Sequence, residues 1–416
     1  MASSSAALRQ ACANLSKAPF LYTQNLREKL TPNKLAALRH EGFCVIDGAF
    51  GEAWCRAARK EVLLAKEHGA MQLNHTHLIV PSKAPSSAGG DTKLVAKEQI
   101  YELDCSVHPE LADALPHCGH DLLPSSLLKE VLHEGMPDLG LVREGDRCQQ
   151  PQPMKLQLNN GHGGCFPIHT DATLMPGSAD DRVVTGLLYL NEQWTAEQGG
   201  QLRLYPLLQG GAESPFAVDI APVCDRMVLF SSTTMLHRVL PSNADTRCCV
   251  TVWLHADNAS QPGSLLHNRG CLEPAELPSN PSSVEVALFL LQPMYRPFTA
   301  RMILAQEWEQ SILESHPGGS QETDALVASH WKNVDIIGRT FKDLLPKLDE
   351  GMRELQDARA GAVEQQLQKS KQSRLESVHP LLRTGHLPGM SGTMGTETID
   401  GEEFFPPLPG VMEWLV

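Results

Sequence analysis

The sequence predicts an α+β fold in which a β-rich core lies between two largely helical regions. Short apolar runs separated by turn residues fill the stretch from about 154 to 256, whereas apolar side chains recur at helical spacing on either side of it. The 416 residues suffice for two or three domains, or for one large domain with additions. With 42% hydrophobic and 20% charged residues, the composition is typical of a globular chain rather than a disordered one.

The part of the chain before the core divides into two regions. Residues 1–30 are rich in Ser and Ala, and their first acidic residue is Glu28, which is typical of a targeting peptide but also of a frayed or disordered terminus. Residues 31–150 are predicted to be a helical support region. Within it, the run FCVID at 43–47 predicts a short buried strand, and the composition of 81–93 predicts a loop.

The core is predicted at residues 151–258, where eight strand candidates favour an all-β sandwich or barrel. The candidates are MKLQLN, CFPIHTD, RVVTGLLYLN, QLRLYP, FAVDI, RMVLF, LHRVL and RCCVTVWLH. Residues 259–375 are expected to form a helical extension. Residues 376–416 are acidic, with no Lys or Arg after Arg383, and are expected to be a mobile tail.

Charge and cysteine content limit the partners and the compartment. A formal net charge of −14 argues against binding along a phosphate backbone, so no nucleic-acid partner is expected. The apolar run near 286–291 is far shorter than the ~18 residues of a membrane span. Eleven cysteines without a CxxC pair predict no disulfide framework, which favours a cytoplasmic or nuclear location, with organellar targeting as the alternative. The oligomeric state stays open.

A metal site is predicted from three residues in two strand candidates. His169 and Asp171 are separated by one residue, so in a strand both side chains point to one face. His237 lies in a later strand candidate and supplies a third ligand. Two histidines and one carboxylate on one side of an ion leave three positions open, which is the facial triad of non-haem Fe(II) oxygenases.

An anion site is predicted from Arg247, ten residues after His237. An arginine that points into a β-core is costly unless an anion meets it, and a guanidinium binds a carboxylate through two hydrogen bonds. The distal carboxylate of 2-oxoglutarate fits that requirement.

Several runs around these residues agree, in order and spacing, with one known family. They are YLN at 189–191 with Trp194, GGQLRLYP at 199–206, DRMVLF at 225–230, and Arg247 followed by TVW at 251–253. With them, the stretch from about Lys155 to Ala256 resembles the catalytic domain of Fe(II)/2-oxoglutarate-dependent dioxygenases of the prolyl 4-hydroxylase type, especially the hypoxia-factor-type prolyl hydroxylases. The resemblance covers about a quarter of the chain.

The resemblance implies a double-stranded β-helix of the jelly-roll or cupin-like kind, with supporting N-terminal helices and a C-terminal helical extension. It implies that Fe(II) is held by His169, Asp171 and His237. It implies that 2-oxoglutarate is bound through its C5 carboxylate by Arg247 and Tyr189, and that the cosubstrate pocket is lined by Leu202, Thr251 and Trp253. One departure concerns Asn159, which stands where the family often has Tyr.

The expected reaction is hydroxylation with O2, giving succinate and CO2, with L-ascorbate as a further factor that sustains the iron. The resemblance favours a prolyl residue of a protein or peptide as the substrate. Hydroxylation of another side chain or of a small molecule is the alternative, and a non-catalytic interaction protein on an oxygenase fold is the third hypothesis. Candidate substrate-side residues are Arg182, His162 and Asn159; for Arg182 and His162 a solvated loop position is the competing interpretation.

Overall fold

Eleven strands build two sheets within the part of the chain that the computed structural model describes, which comprises residues 2–80, 91–141, 153–172, 181–207, 216–256, 277–292, 295–358 and 361. The strands are β1 (Phe43–Asp47), β2 (Gln72–Val80), β3 (Asp91–Asp104), β4 (Met154–Asn159), β5 (Gly164–His169), β6 (Arg182–Tyr189), β7 (Leu202–Tyr205), β8 (Val218–Ile220), β9 (Arg226–Ser231), β10 (Leu236–Ser242) and β11 (Arg247–His255).

The strands pair antiparallel in a larger and a smaller sheet. The larger sheet has the order β1-β9-β6-β11-β4-β3-β2, and the smaller has the order β5-β10-β7-β8. An apolar cluster joins side chains of both sheets, with Tyr189, Val228 and Phe230 from the larger and Leu202 and Leu204 from the smaller. All eight strands predicted between 154 and 256 are present, and the double-stranded β-helix of the α+β prediction is confirmed.

The region 31–150, expected to be a helical support, also supplies β1, β2 and β3 to the larger sheet. Residues 91–93, expected in a loop, are the start of β3. The physical reason is that β4 would otherwise expose unpaired backbone groups at the edge of the core. β3 covers that edge, with Ile100 opposite Asn159 and Leu103 opposite Leu156.

The described residues also form ten α-helices, which belong to two separate units of the chain. They are α1 (Ala2–Cys12), α2 (Tyr22–Lys29), α3 (Pro32–His40), α4 (Glu52–Glu67), α5 (Pro109–Ala112), α6 (Leu127–Gly135), α7 (Ser283–Leu290), α8 (Arg296–Ile303), α9 (Ala305–Ser315) and α10 (Gln321–Thr340), with one further helical stretch at 345–358.

The N-terminal helices are packed, which corrects the expectation of disorder for residues 1–30. Leu8 of α1 and Tyr22 and Leu26 of α2 are buried. On α4, the fully buried carboxylate of Glu61 accepts hydrogen bonds from the backbone N–H groups of His117 (2.7 Å) and Cys118 (2.8 Å). These bonds satisfy a charge that would otherwise be costly to bury, and they attach α4 to the segment that follows α5.

Internal contacts divide the chain into two compact units. The first comprises residues 1–274 and 291–342, and therefore includes both sheets with α8, α9 and α10. In it, Ser311 of α9 accepts a hydrogen bond from Ile168 N (3.1 Å), so this helix helps to position β5.

The second unit comprises residues 275–290 and 343–416. In it, Ser283 at the start of α7 donates to Glu350 (2.5 Å), and Lys347 donates to the carbonyl of Pro281 (2.5 Å). The extension expected at 259–375 is thus divided between the units, and the tail expected at 376–416 lies outside the described residues. No described helix is both long and apolar enough to cross a membrane.

Candidate active site

Two histidines and one aspartate meet where the smaller sheet reaches the larger one. His169 ends β5 and lies directly opposite His237 of β10, with ring centroids 4.3 Å apart. Asp171 follows β5, and its Oδ1 lies 3.6 Å from Nε2 of His169 and 3.7 Å from Nε2 of His237. The candidate ligand atoms all lie within 4.8 Å of one another, so the three side chains meet around one candidate metal position.

The backbone fixes how the two histidines are protonated. Nδ1 of His169 lies 2.7 Å from the carbonyl of Pro167, and Nδ1 of His237 lies 3.1 Å from the carbonyl of Met235. Because a carbonyl oxygen only accepts hydrogen bonds, both Nδ1 atoms carry the proton and both Nε2 atoms present a lone pair towards Asp171. This is the form of imidazole that binds a metal.

Electrostatics keep the three groups ready for a cation. Burial, followed by the neighbouring His237, lowers the pKa of His169 to about 4. Burial acts to raise the pKa of Asp171, but the two histidines and hydrogen bonds from Thr185 and Trp253 outweigh it and lower that pKa below its ordinary value. At neutral pH, His169 is therefore uncharged and Asp171 is a carboxylate.

Two donors orient the aspartate. Thr185 Oγ1 donates to Asp171 Oδ2 (2.6 Å), and Trp253 Nε1 lies 3.2 Å from the same oxygen. Ser232 lies 2.8 Å from the Thr185 hydroxyl and completes its hydrogen bonding. Trp253, expected to line the cosubstrate pocket, is therefore placed first of all against a metal-binding carboxylate.

Arg247 lies against the backbone of Gly200. Its Nε donates to the carbonyl of Gly200 (2.7 Å), and only 4% of the residue is exposed. Gly200 has φ +73°, and a Cβ there would lie 2.8 Å from Cδ of Arg247. Glycine is therefore required at position 200 for Arg247 to come so close to the backbone, whereas a Cβ at Gly199 would meet the carbonyl of Pro241 instead.

Tyr189 lies beside that guanidinium. Cζ of Arg247 lies 5.2 Å from the centroid of the Tyr189 ring, and the tyrosine is completely buried. Its hydroxyl makes no well-formed hydrogen bond within the described part of the chain, and burial raises its pKa above the ordinary value. A buried cation and an unsatisfied buried hydroxyl side by side suit an oxyanion.

The remaining predicted cosubstrate residues lie on the interior face of the core. Leu202 is fully buried in the apolar cluster that contains Tyr189. Thr251 is buried, and its Oγ1 lies 3.5 Å from Oε1 of Gln157, which also accepts from Cys249 Sγ (3.3 Å). The interior wall beside Arg247 therefore has one polar stripe among apolar side chains.

The three candidate substrate-side residues lie at different positions relative to the triad. Arg182 begins β6, and its guanidinium carbon lies 5.7 Å from the Trp253 ring centroid, so it is close to the metal ligands. His162 is an exposed turn residue before β5, whereas His169 ends that strand. Because five strand residues span roughly 16 Å, the structure does not bring His162 to the triad.

Asn159 lies opposite Arg247 in the β4–β11 ladder, and its side chain is used by the neighbouring turn. Its side chain is buried, donates to the carbonyl of Gly164 (2.6 Å) and accepts from the N–H of Gly161 (3.0 Å). A Cβ at Gly164 would lie 2.3 Å from Oδ1 of Asn159, so the glycine makes room for this amide. Asn159 therefore braces the turn between β4 and β5.

A groove opens directly from the triad. Its volume is about 550 Å³, and His169 lines one end of it. The opposite wall is formed by the helices that follow the core, and the lining side chains are mostly apolar: Ile168, Leu236, Pro297, Phe298, Trp308, Ile336 and Ile337. Arg301 is the one side chain among the described lining residues that is charged at neutral pH, and its Cζ lies 4.3 Å from the Trp308 ring centroid.

Sequence reasoning missed Thr185, Gln157 and the helical wall of the groove. The first two had a signal, because side chains two and four residues apart in a strand share a face. Thr185 is four residues before Tyr189, and Gln157 is two residues before Asn159. The groove wall had none, since its position depends on how α8 to α10 pack on β5.

Comparisons with known proteins agree with this geometry. Residues 154–255 match the family model of the 2OG-Fe(II) oxygenase superfamily. The chain is 40% identical over 218 residues to Egl nine homolog 1 of Mus musculus, covering 52% of this chain and 47% of that protein. It is 37% identical over 95 residues to mouse prolyl hydroxylase EGLN3, covering 22% of this chain and 36% of that protein. The chain thus spans half or less of the length of these curated relatives.

One solved structure extends the similarity beyond the core. A structure of prolyl 4-hydroxylases from Phytophthora capsici is 28% identical, with a TM-score of 0.60, and the match covers 81% of this chain and 97% of that one. The range matched by the family model, 154–255, contains the triad, Arg247 and Tyr189. Residues 154–255 therefore match the 2OG-Fe(II) oxygenase superfamily, and the chain is similar to prolyl hydroxylases.

Proposed function

We propose that this protein is an Fe(II)- and 2-oxoglutarate-dependent dioxygenase that hydroxylates a prolyl residue of a polypeptide and releases succinate and CO2. The observation that carries the proposal is the juxtaposition of an open His169–Asp171–His237 triad with the buried pair Arg247 and Tyr189. One part suits a divalent cation, and the other suits the far carboxylate of a small dicarboxylate.

The residues fit both groups on structural grounds. The three metal donors lie on one side of the candidate metal position. Both imidazoles are held in the metal-binding tautomer by the carbonyls of Pro167 and Met235. Within the described residues, the buried Tyr189 hydroxyl makes no well-formed hydrogen bond and Arg247 forms no ion pair with a carboxylate. A bound C5 carboxylate would satisfy both, which the protein alone does not.

Iron and 2-oxoglutarate, when bound, supply the activation of O2 that no amino-acid side chain provides. The chain supplies position and a dry environment. Thr185 and Trp253 hold one oxygen of Asp171, so the other faces the histidines. The apolar cluster around Tyr189 and Leu202 keeps water from the interior, which strengthens the attraction of Arg247 for an anion. L-ascorbate as a reductant for iron belongs to the proposal, without an assigned residue.

A polypeptide substrate is supported by the groove that starts at His169. A groove of about 550 Å³ with apolar walls is larger than a single side chain requires and continues away from the metal ligands. The names of the relatives point the same way, since mouse EGLN3 and the Phytophthora structure are described as prolyl hydroxylases.

Hydroxylation of another side chain or of a small molecule is the alternative, because the groove does not define the reacting atom. A purely non-catalytic interaction protein is less well supported. Such a protein needs no second donor on Asp171 and no buried Arg247 beside an unsatisfied Tyr189 hydroxyl, yet both features are present.

The decisive experiment is mass spectrometry of peptides after incubation with the full chain, Fe(II), 2-oxoglutarate and O2. A cell-derived peptide mixture should gain one oxygen atom on proline residues with the wild type and not with His169→Ala. His162→Ala is the matched control, because His162 lies away from the triad, and it should behave like the wild type. Oxygen on other side chains only, or on small molecules only, would replace the prolyl assignment by an alternative.

A further inference from the structure

A second cavity lies apart from the groove at His169. It has a volume of about 310 Å³ and is enclosed by β3, the start of β5 and the turn between α9 and α10. None of its lining residues is a metal ligand, and none lines the groove. Among the side chains that line it are Lys97, His316, Ser320 and Thr323.

Lys97 is buried and forms no salt bridge with a described carboxylate, although the more distant charge of Glu102 acts on it. Only 7% of the residue is exposed, and it makes no hydrogen bond or ion pair with any described residue. Its ammonium lies 4.2 Å from the centroid of the Phe166 ring, a cation–π contact that offsets part of the lost hydration. A buried ammonium without a carboxylate in contact is costly, and so it points to an anion that the described residues do not supply at this position.

The opposite wall offers further groups to an anion. The backbone at Gly318 and Gly319 lines the cavity and leads into the 20-residue helix α10, whose Ser320 cap accepts from Thr323 N (3.2 Å). The positive end of this helix favours negative charge. His316 Nδ1 donates to the carbonyl of Ile312 (3.0 Å), and its buried Nε2 has no partner in the described residues.

The one carboxylate in the lining does not neutralise Lys97. Glu314 pairs with Arg238 through Oε2, and its Oε1 accepts from Gln310 Nε2 (2.7 Å). Both oxygens of Glu314 are therefore engaged with partners of their own, and neither makes an ion pair with Lys97 in the described part of the chain.

We propose that this cavity binds an oxyanion, a carboxylate or phosphate group, between Lys97 and the turn that leads into α10. The protonated Lys97 donates to the anion, and a protonated ligand oxygen or hydroxyl donates to His316 Nε2. The anion comes either from a free small molecule or from an acidic side chain of a polypeptide. This site goes beyond the proposed hydroxylation and needs neither iron nor 2-oxoglutarate.

The cavity also adjoins the strand of a metal ligand. Gly164 and Cys165 line it at the start of β5, His169 ends the same strand, and the rings of Phe166 and His169 lie 6.3 Å apart. An anion bound by Lys97 therefore contacts the strand that carries one iron ligand.

The test is hydrogen–deuterium exchange of the full chain during titration with inorganic phosphate, with chloride at equal ionic strength as the reference. Saturable protection of residues 95–100 and 315–323 is expected, and its location separates this site from Arg247 on β11. In Lys97→Met the phosphate concentration for half-protection should rise at least about tenfold, which corresponds to the loss of one charge-assisted contact. Lys97→Arg keeps the positive charge and should retain the protection by phosphate. That result would show that the charge, rather than the lysine side chain itself, is needed for binding.

Lys66→Met is the matched control, since Lys66 also lies over an aromatic ring, that of Tyr101 (3.1 Å), but does not line the cavity. It should bind phosphate like the wild type. Two peptides that differ only by having Glu or Gln at one position identify the source of the anion. A preference for the Glu peptide that depends on Lys97 indicates a polypeptide ligand. If that preference is absent, the ligand is a free anion. The proposal is wrong if neither phosphate nor the Glu peptide protects 315–323, or if Lys97→Met binds as the wild type does.

Discussion

Thr185 and Trp253 lie directly opposite each other in the β6–β11 ladder, and both side chains reach the same oxygen of Asp171. The two donors leave the other oxygen of Asp171 facing Nε2 of His169 and of His237. The orientation of the metal ligand is thus set by cross-strand partners of the larger sheet, whereas the histidines belong to the smaller one.

The first prediction follows from this support. Removing the donor in Thr185→Val should weaken binding of Fe(II) by about 10- to 100-fold, as is usual for groups that orient a ligand. Anaerobic titration with Fe(II), or with Mn(II) as a stable substitute, measures it. Thr251→Val is the control, because Thr251 contacts Gln157 rather than Asp171. Unchanged metal affinity in both Thr185→Val and Trp253→Phe would remove the supporting role.

The second prediction separates binding from stability at Tyr189. Tyr189→Phe removes a buried hydroxyl that makes no well-formed hydrogen bond in the described part of the protein, so the free variant should be as stable as the wild type or about 1 kcal/mol more stable. The same change should weaken 2-oxoglutarate binding, because one donor to its carboxylate is lost. Thermal unfolding with and without 2-oxoglutarate measures both effects. A less stable variant with unaltered 2-oxoglutarate affinity contradicts the assignment.

The third prediction concerns the groove. Arg301 lies over Trp308 in a lining without carboxylates, and burial lowers its pKa. Arg301→Met should raise the KM of an acidic peptide substrate while leaving succinate formation in the absence of peptide unchanged. Arg339→Met is the matched control, since Arg339 is exposed on α10 and pairs with Asp335. Equal KM values for the two variants would show that Arg301 takes no part in substrate binding.

The fourth prediction is a pH dependence of stability at Lys97. Burial lowers the pKa of Lys97 from 10.5 to about 8, so between these pH values the unfolded chain keeps a proton that the folded chain has lost. The free energy of unfolding should therefore rise as the pH increases from about 8 to 10.5. At neutral pH, Lys97→Met should be more stable than the wild type by up to about 3 kcal/mol, and this difference should shrink over the same pH range. Urea unfolding at several pH values measures it, and Lys66→Met should show no such gain.

Much of the core could be predicted from sequence because its strands are short, apolar and bounded by turns. The triad and Arg247 were found for a related reason: charged and imidazole groups inside a β-core need a chemical explanation. Strand alternation also contained the signal for Thr185, although it was not used.

The features that could not be predicted from the sequence depend on packing between residues that are far apart in the chain. β3 contains Lys97 and Glu102 among its apolar residues and so lacks a clear strand pattern, yet the open edge of β4 recruits it. Asn159 looked like a variant of a substrate contact, but its amide is used by the turn at Gly161 and Gly164. No local pattern reveals either pairing.

The most direct test of the central claim is succinate formation from 2-oxoglutarate by the full chain with Fe(II) and O2, compared among the wild type, His169→Ala and Arg247→Ala. The wild type should form succinate, and His169→Ala should form none at any 2-oxoglutarate concentration. Arg247→Ala should form succinate only at much higher 2-oxoglutarate concentration, with its Fe(II) binding nearly intact. Equal turnover by the wild type and His169→Ala, or an unchanged 2-oxoglutarate requirement in Arg247→Ala, would contradict it.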